Sequence, residues 1–402
     1  MSDSVQQGFI PREYDIFMGL DVDKTSIALT WTDHHDLGAS LRMPYAIENL
    51  LHYTRRHFPD QRVAFAYEAG PTGYGLYDQL TAQGYRCLVV APSMVPTPPG
   101  QRVKTNRLDS QKLSTSLRGG QLRSIHVPSH SYRHLRHLTQ LRDTYVSQAT
   151  AFKCRIKSLL LFEGIPFPAA PMASQWSRRV LAQLQTLPCA PAVRFKLDQL
   201  LASLLFAHNQ VRQTTREIRR FCTTDPELTR CMGYLMTIPG IGWIVASQLL
   251  ARIGDWHQLR HVRQLAAFLG VVASERSTGE RVQRGAITRT GDARLRNKLI
   301  QSAWWAIRHD PELQAFYRRI HGRHPREQAA RKAIVAVARK LTTRIYAVLH
   351  EQRAYELRAM PLTQAATPRP RARLDAPQNP DDSTSETESP GRGALAQDGG
   401  RI

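Results

Sequence analysis

Two sets of residues in this chain are of the types that phosphoryl-transfer chemistry uses. The first is Ser277-Thr278-Gly279, set among Arg276, Arg281, Arg284 and Arg289 and followed by a Gly291-Asp292 turn that opens a helical pattern. A serine hydroxyl attacks phosphorus when it can reach a phosphate, when cations stabilise the pentacovalent oxyanion, and when something activates it. The arginines meet the second need. No neighbouring His or Asp offers a base, so activation has to come from a metal or from elsewhere in the chain. A polar surface loop, whose Ser and Thr satisfy local backbone donors, has the same composition.

The second set is acidic. Asp21 and Glu68 end apolar runs, and Asn106 and Asp109 stand three apart at the start of a helical pattern, on one helix face. Separated carboxylates that converge on one edge of a sheet suit Mg²⁺ or Mn²⁺, hard cations that take one or two protein carboxylates plus phosphate and water. The alternatives are ordinary: strand-end acids that are simply solvated, and a capping box in which Asn106 is the N-cap and Asp109 its N3 partner. Pro239-Gly240-Ile241-Gly242 has the look of a helix-hairpin-helix turn, in which Gly240 and Gly242 bring backbone amides to a phosphate; an αα-corner looks the same. His126, His130, His134 and His137 are suggestively spaced, but Pro128 interrupts any helix and no Cys or acid joins them, so zinc is not expected.

The elements that must position these groups follow from pattern. Residues 15–22 form an apolar strand with 26–32 as its hairpin partner, and strands at 62–68 and 86–90 alternate with helices at 46–58 and 74–83. That alternation predicts an α/β sheet with functional groups at strand ends. Next come a proline-rich stretch at 92–100 and the helix start at Asn106. A long helical pair follows, carrying Leu135, Leu138, Tyr145, Ala149, Phe152, Ile156 and Leu159, then Val193, Leu197, Leu200, Leu204, Ala207, Val211 and Ile218. Its rhythm fits intradomain packing or an oligomerising coiled coil. Residues 166–191 hold too many prolines for one helix. From Leu235 the expected order is helix, Pro-Gly turn, helix 243–253, helix 261–269, the serine stretch, then helices 292–308 and 326–350.

Composition narrows the partner. A formal charge of +22 over 402 residues points to a polyanion, and nucleic acid is favoured over acidic membrane because no terminal amphipathic Lys-rich helix or lipidation signal is present. Beyond Pro361 acids slightly outnumber arginines, so the basicity belongs to the folded part, and the Pro, Ser, Thr, Asp and Gly there read as disordered. Five cysteines without a CxxC pair suggest reduced thiols in a cytoplasmic protein. The start has no signal-peptide pattern. Residues 231–251 are uncharged and as long as a membrane helix, but Pro239 and its glycines divide them into two helices of a soluble core.

Taken together, GLDVDKTSIAL, YEAGPTGYGLYDQL and VKTNRLDSQKLS, then MTIPGIGWIVASQLLARIGDW, RQLAAFLGVVASERSTGERVQRGAITRTGDARLRNKLIQSAWWAIR and AIVAVARKL, resemble the DEDD transposases of insertion-sequence family 110 and the related Piv-type DNA invertases. The resemblance implies a RuvC-like (RNase H type) catalytic domain, placed over 1–125, and a carboxy-terminal transposase domain with the serine motif, placed over 226–360. With the helical, coiled-coil oligomerisation region over 126–225, the mainly α-helical pattern and helix-hairpin-helix-like turn of 226–360 and the disordered tail over 361–402 read from pattern and composition, the expected architecture is α/β plus α. The resemblance implies divalent metal on Asp21, Glu68, position 106 and Asp109, with Asn106 departing from the acidic pattern, and a nucleophilic serine at Ser277. It also implies recombination of double-stranded DNA guided by a structured bridge RNA. Exchange between two duplexes cuts four strands, so a homo-oligomer, dimer or tetramer, is expected, mediated by the long helices. The rival readings are a metal-only junction resolvase and a catalytically weakened relative that binds DNA and RNA.

Overall fold

The run Ile16–Val22 forms β1, the middle strand of a five-stranded sheet ordered β3-β2-β1-β4-β5. The others are β2 (Ser26–Thr32), β3 (Leu37–Pro44), β4 (Val63–Glu68) and β5 (Arg86–Val90). The computed structural model describes residues 8–96, 105–168, 176–276 and 283–357. Strands β1, β4 and β5 run parallel, while β2 and β3 complete the sheet antiparallel. Both β1 and β4 are buried until their last residues because helices cover both faces, which is why they read as unbroken apolar runs. On one face Met18, Leu20, Phe65 and Tyr67 pack with Leu50 of α1 (Ile47–His57) and with Leu76 and Leu80 of α2 (Gly75–Ala82). On the other, Phe17, Ala64 and Ala66 pack with Leu113 and Leu117 of α3 (Asn106–Arg118). Strand β3 has no counterpart in the sequence expectation. It is an edge strand, mostly exposed, and so carries no clean apolar alternation.

Helix α3 lies directly on β1. A Cβ at Gly19 would stand 2.1 Å from the Ser110 carbonyl oxygen and 2.3 Å from the Ser114 amide nitrogen, so only glycine permits this approach. The seam is polar and satisfied: Ser110 Oγ and Thr30 Oγ1 are 2.8 Å apart, and Ser114 Oγ donates to the Phe17 carbonyl at 2.8 Å. Buried hydroxyls cost little only when paired in this way.

The long helical pair is α4 (His130–Phe162) and α6 (Pro191–Thr224), with a short helix α5 (Arg178–Gln185) inside the proline-rich connection. Contacts of His134 with Phe221, Arg142 with Thr215 and Tyr145 with Phe206 run in opposite chain directions, so the two are antiparallel. Ala149, Ile156 and Leu159 bury against Leu197, Leu204 and Ala207. The heptad-like rhythm is therefore used within one chain.

The largest core belongs to α7 (Pro226–Met236), α8 (Trp243–Ile253), α9 (Val262–Phe268), α10 (Ala293–His309), α11 (Pro311–His321) and α12 (Arg326–His350). Residues 231–251 are split between α7 and α8, and among the described residues no helix is long and apolar enough to cross a membrane. Helix α11 is an addition to the expected set. Asp310 starts it, accepting from the Leu313 amide at 3.0 Å, and its buried carboxylate also meets Arg344 and the Tyr355 hydroxyl. Burial pushes the Cys222 and Cys231 thiols up to about 11, as expected of structural, unreactive cysteines. The tail expected over 361–402 lies outside the described residues.

Candidate active site

Parallel register puts the two strand-end acids side by side. Leu20 pairs with Tyr67, and Asp21 and Glu68 are the next residue on each strand. By alternation both share the face of Gly19, Ala64 and Ala66, the face that α3 covers. Because Ser110 sits on Gly19, the first turn of α3, with Asn106 and Asp109, comes to the same end of the sheet. Asp21, Glu68 and Asp109 are half-buried there and Asn106 is exposed. Register and the seat of α3 thus place the four residues expected from sequence at one end of the sheet.

One local expectation is corrected. Asn106 is not the N-cap of a capping box. Thr105, in extended conformation, caps α3 by accepting from the Leu108 amide at 3.3 Å, and Asn106 is the first helical residue. The Asn106 side chain is therefore not required for capping.

The donor set suits a hard divalent ion bound partly by substrate. Among the described residues no three His, Cys, Asp or Glu groups stand close enough to cage an ion. A magnesium ion held by one or two carboxylates, with phosphate and water completing its shell, needs no such cage. The four histidines of 126–137 form no metal group among the described residues either.

The serine segment sits between two strands that have no counterpart in the expected elements, β6 (Ala273–Glu275) and β7 (Arg284–Ile287). Glu275 pairs with Arg284, and the Arg276 amide donates to the Gln283 carbonyl at 2.9 Å. Ser277, Thr278, Gly279 and Arg281 lie outside the described residues, immediately beyond this pairing. Arg276 is exposed, and so is Arg289, which takes a left-handed φ of 56° just before α10. The base of the hairpin is closely packed. A Cβ at Gly270 would meet the Thr290 carbonyl oxygen at 1.9 Å, and one at Gly291 the Phe268 carbonyl oxygen at 2.0 Å. Buried Arg296 donates to the Leu269 and Thr290 carbonyls at 3.4 and 3.3 Å, and Asp292 caps α10 while pairing with Arg252 at 3.0 Å. Arg296 was not among the expected site residues; an arginine among the apolar positions of the α10 pattern was the available signal.

The Pro-Gly turn divides its two glycines. Gly240 has φ +87°, and a Cβ there would stand 2.3 Å from the Ser302 carbonyl oxygen of α10. The close approach of α10 explains why a glycine stands at 240, which is half-buried. Gly242 is exposed at the N-terminus of α8 with open space around it.

Helix α4 joins the sheet to the helical core. Its Arg133 forms two 2.8 Å hydrogen bonds to Asp78 of α2, and three residues on Arg136 donates to the Ala251 and Arg252 carbonyls at the end of α8. Arg252 in turn holds Asp292, so a chain of contacts runs from α2 to the start of α10.

Two family models match the chain: that of the DEDD transposases of IS110, described as transposase, over residues 18–163, and that of the transposase IS116/IS110/IS902 family over residues 232–318. The chain belongs to the IS110 family of transposases. The acidic edge falls inside the first IS110 segment and the serine hairpin inside the second. Putative transposase y4qE of Sinorhizobium fredii is 33% identical over 254 residues, 63% of this chain and 60% of that protein, so the match spans less than two thirds of that relative. The transposase for insertion sequence element IS1111A of Coxiella burnetii is 24% identical over 63% of this chain and 68% of its own. A pilin gene-inverting protein of Moraxella bovis is 28% identical over 37% of this chain and 46% of its own.

Proposed function

We propose that this chain cuts and rejoins the strands of double-stranded DNA as the recombinase of an insertion sequence, guided by a structured RNA, with Ser277 as nucleophile. The observation that carries the reading is the acidic edge: Asp21 and Glu68 at the ends of adjacent parallel strands, beneath the first turn of α3 with Asn106 and Asp109. Ser277 Oγ forms a bond to a DNA phosphorus, the bond from that phosphorus to one sugar oxygen breaks, and the sugar leaves with a hydroxyl. Attack of another sugar hydroxyl on the phosphoserine reverses the step and restores a continuous strand. Arg276, Arg281, Arg284 and Arg289 neutralise the charge that develops on the phosphate oxygens. Asp21, Glu68 and Asp109, with the neutral oxygen of Asn106, would hold Mg²⁺ or Mn²⁺, which when bound would ease deprotonation of the attacking hydroxyl or stabilise the negative charge on the leaving oxygen. Gly242 at the head of α8 offers amide donors to a DNA phosphate.

Four strands are cut in an exchange, so the working form is an assembly of two or four copies. The apolar stripe of α4 and α6 is used internally, and contact between copies falls to their outward side chains, such as Phe162, Phe195 and Phe206, which are 88%, 68% and 58% exposed.

The reading is tested by cleavage of a cognate duplex in the presence of the guide. A chelator is expected to stop cleavage, added Mg²⁺ or Mn²⁺ to restore it, and Asp21→Asn to reduce it at least 100-fold, on the order of the losses seen when metal sites are disturbed. Full activity of Asp21→Asn in chelator would sink the metal role.

Asn106 favours a second reading, a weakened relative, because a carboxylate expected from the resemblance is missing. Asn106→Asp leaves the Thr105 cap intact and adds one negative charge at the exposed start of α3, where the helix dipole favours it. If the natural chain is impaired, Asn106→Asp raises the strand-exchange rate by roughly 10-fold or more, a step of ~1.4 kcal/mol. An unchanged rate in the same assay removes the weakened-relative reading.

A further inference from the structure

The outward face of α10 reads Arg294, Asn297, Gln301, Trp304, Trp305 and Arg308, all exposed. Trp304 and Trp305 are 40% and 55% exposed. A large aromatic side chain is seldom left so open, and two in succession form a patch that needs a partner. No Asp or Glu occurs anywhere in α10. Neighbouring rings extend the patch: Tyr317 lies 5.8 Å from Trp304, His309 lies 4.9 Å from Trp305, and His321 lies 5.6 Å from Tyr317. Beside them α11 exposes Arg318 and Arg319, while its one acid, Glu312, is held by Lys340 and Arg344. The opposite face of α10, with Leu295, Leu299, Ala303 and Ala306, is buried, so helix packing does not call for the tryptophans.

We infer that this face is a track for an unpaired strand of nucleic acid, whose bases stack on Trp304 and Trp305 while Arg294 and Arg308 meet its phosphates. Aromatic rings flanked by cations, without acids, match the two surfaces of a single strand: flat bases and a charged backbone. A duplex keeps its bases stacked on one another and has no free base faces to offer. The track also has a direction. Arg294 follows Asp292, the helix cap that adjoins the base of the serine hairpin, and Trp305 lies eleven residues further, about 16 Å along the helix axis. A strand leaving the serine hairpin as an unpaired segment therefore passes along α10.

The inference rests on the nucleic-acid reading of the chain and needs no catalysis, so its test is equilibrium binding. The full chain is titrated with short oligo(dT), oligo(U) and a matched DNA duplex, following tryptophan fluorescence and the dependence on salt. Quenching by at least one single strand is expected; a stronger oligo(U) signal assigns the track to RNA and a stronger oligo(dT) signal to DNA. Trp305→Ala is expected to weaken single-strand binding by roughly 10- to 100-fold, with duplex binding unchanged. Trp305→Tyr, which keeps a stacking ring and guards against loss of fold, is expected to retain most of the affinity. Arg308→Ala should flatten the single-strand salt dependence by about one phosphate contact. Equal losses on single strand and duplex, no quenching by either single strand, or a change in sedimentation of Trp305→Ala with single-strand affinity intact would overturn it, the last by assigning the face to a second copy of the chain. Loss of strand cleavage by Ser277→Ala, with these titrations unaltered, bears only on the catalytic reading.

Discussion

Ser277→Ala is expected to remove every covalent protein–DNA adduct and to reduce strand cleavage to background, a loss on the order of 10⁶-fold if this serine behaves as serine nucleophiles do elsewhere. The readout is a denaturing gel of the chain incubated with labelled cognate duplex, guide and Mg²⁺. The described framework of the hairpin is the Arg276–Gln283 pairing and the packing of Gly270, Gly291 and Arg296 at its base, and Ser277→Ala changes none of these residues. Stability should accordingly change by less than about 0.5 kcal/mol. Ser277→Cys, which keeps a nucleophile, is expected to retain a reduced adduct. Persistence of the adduct in Ser277→Ala would show that another group of the protein attacks, whereas cleavage by the parent chain with no adduct at all would return it to the metal-only resolvase reading.

Gly19→Ala is expected to be the most damaging methyl group that can be added to the sheet. Its two nearest neighbours, the Ser110 carbonyl oxygen at 2.1 Å and the Ser114 amide nitrogen at 2.3 Å, are both backbone atoms of α3, so no rotamer change relieves the contact. Helix α3 has to rise, and Ser114 then loses its bond to the Phe17 carbonyl. Overpacking of well-packed interiors commonly costs 1–3 kcal/mol, and with two backbone clashes about 3 kcal/mol or more is expected here. The same displacement moves Asp109 away from Asp21 and Glu68, and a shift of about 1 Å in a catalytic constellation costs roughly 100-fold in rate. Chemical denaturation and metal-dependent cleavage should therefore fall together. Gly233→Ala serves as the control: it lies on an exposed face of α7 with open space at its Cβ, and gaining a helix-favouring residue should stabilise by up to ~1 kcal/mol. A Gly19→Ala chain as stable as its parent would refute the close seating of α3.

Residues of β1, β4 and β5 were legible because strands buried on both faces must be apolar throughout, and the helices near them because their apolar residues recur at threes and fours. β3, β6 and β7 were not. Each is short or mostly exposed, so pairing with a neighbour, and not its own pattern, makes it a strand. The boundary of α11 was present in the Asp310-Pro311 step, a cap followed by a residue that starts helices, and it stayed hidden within a long polar stretch.

The sequence by itself determined the chemistry available to this protein: strand-end carboxylates at Asp21 and Glu68, a serine among arginines, a charge of +22, and the order of elements that carries them. Residue type and local period encode these, and both are properties of neighbours along the chain. The tertiary structure alone decided which groups meet. Parallel register set Asp21 beside Glu68, the missing side chain of Gly19 let α3 bring Asp109 to the same edge, and the close approach of α10 demanded a glycine at 240 while leaving Gly242 exposed. It also left Trp304 and Trp305 on the open face of α10, where periodicity alone would allow them as readily in the core. Such choices depend on contacts between residues far apart in sequence, whose free energies are settled by steric fit and burial after the elements have formed.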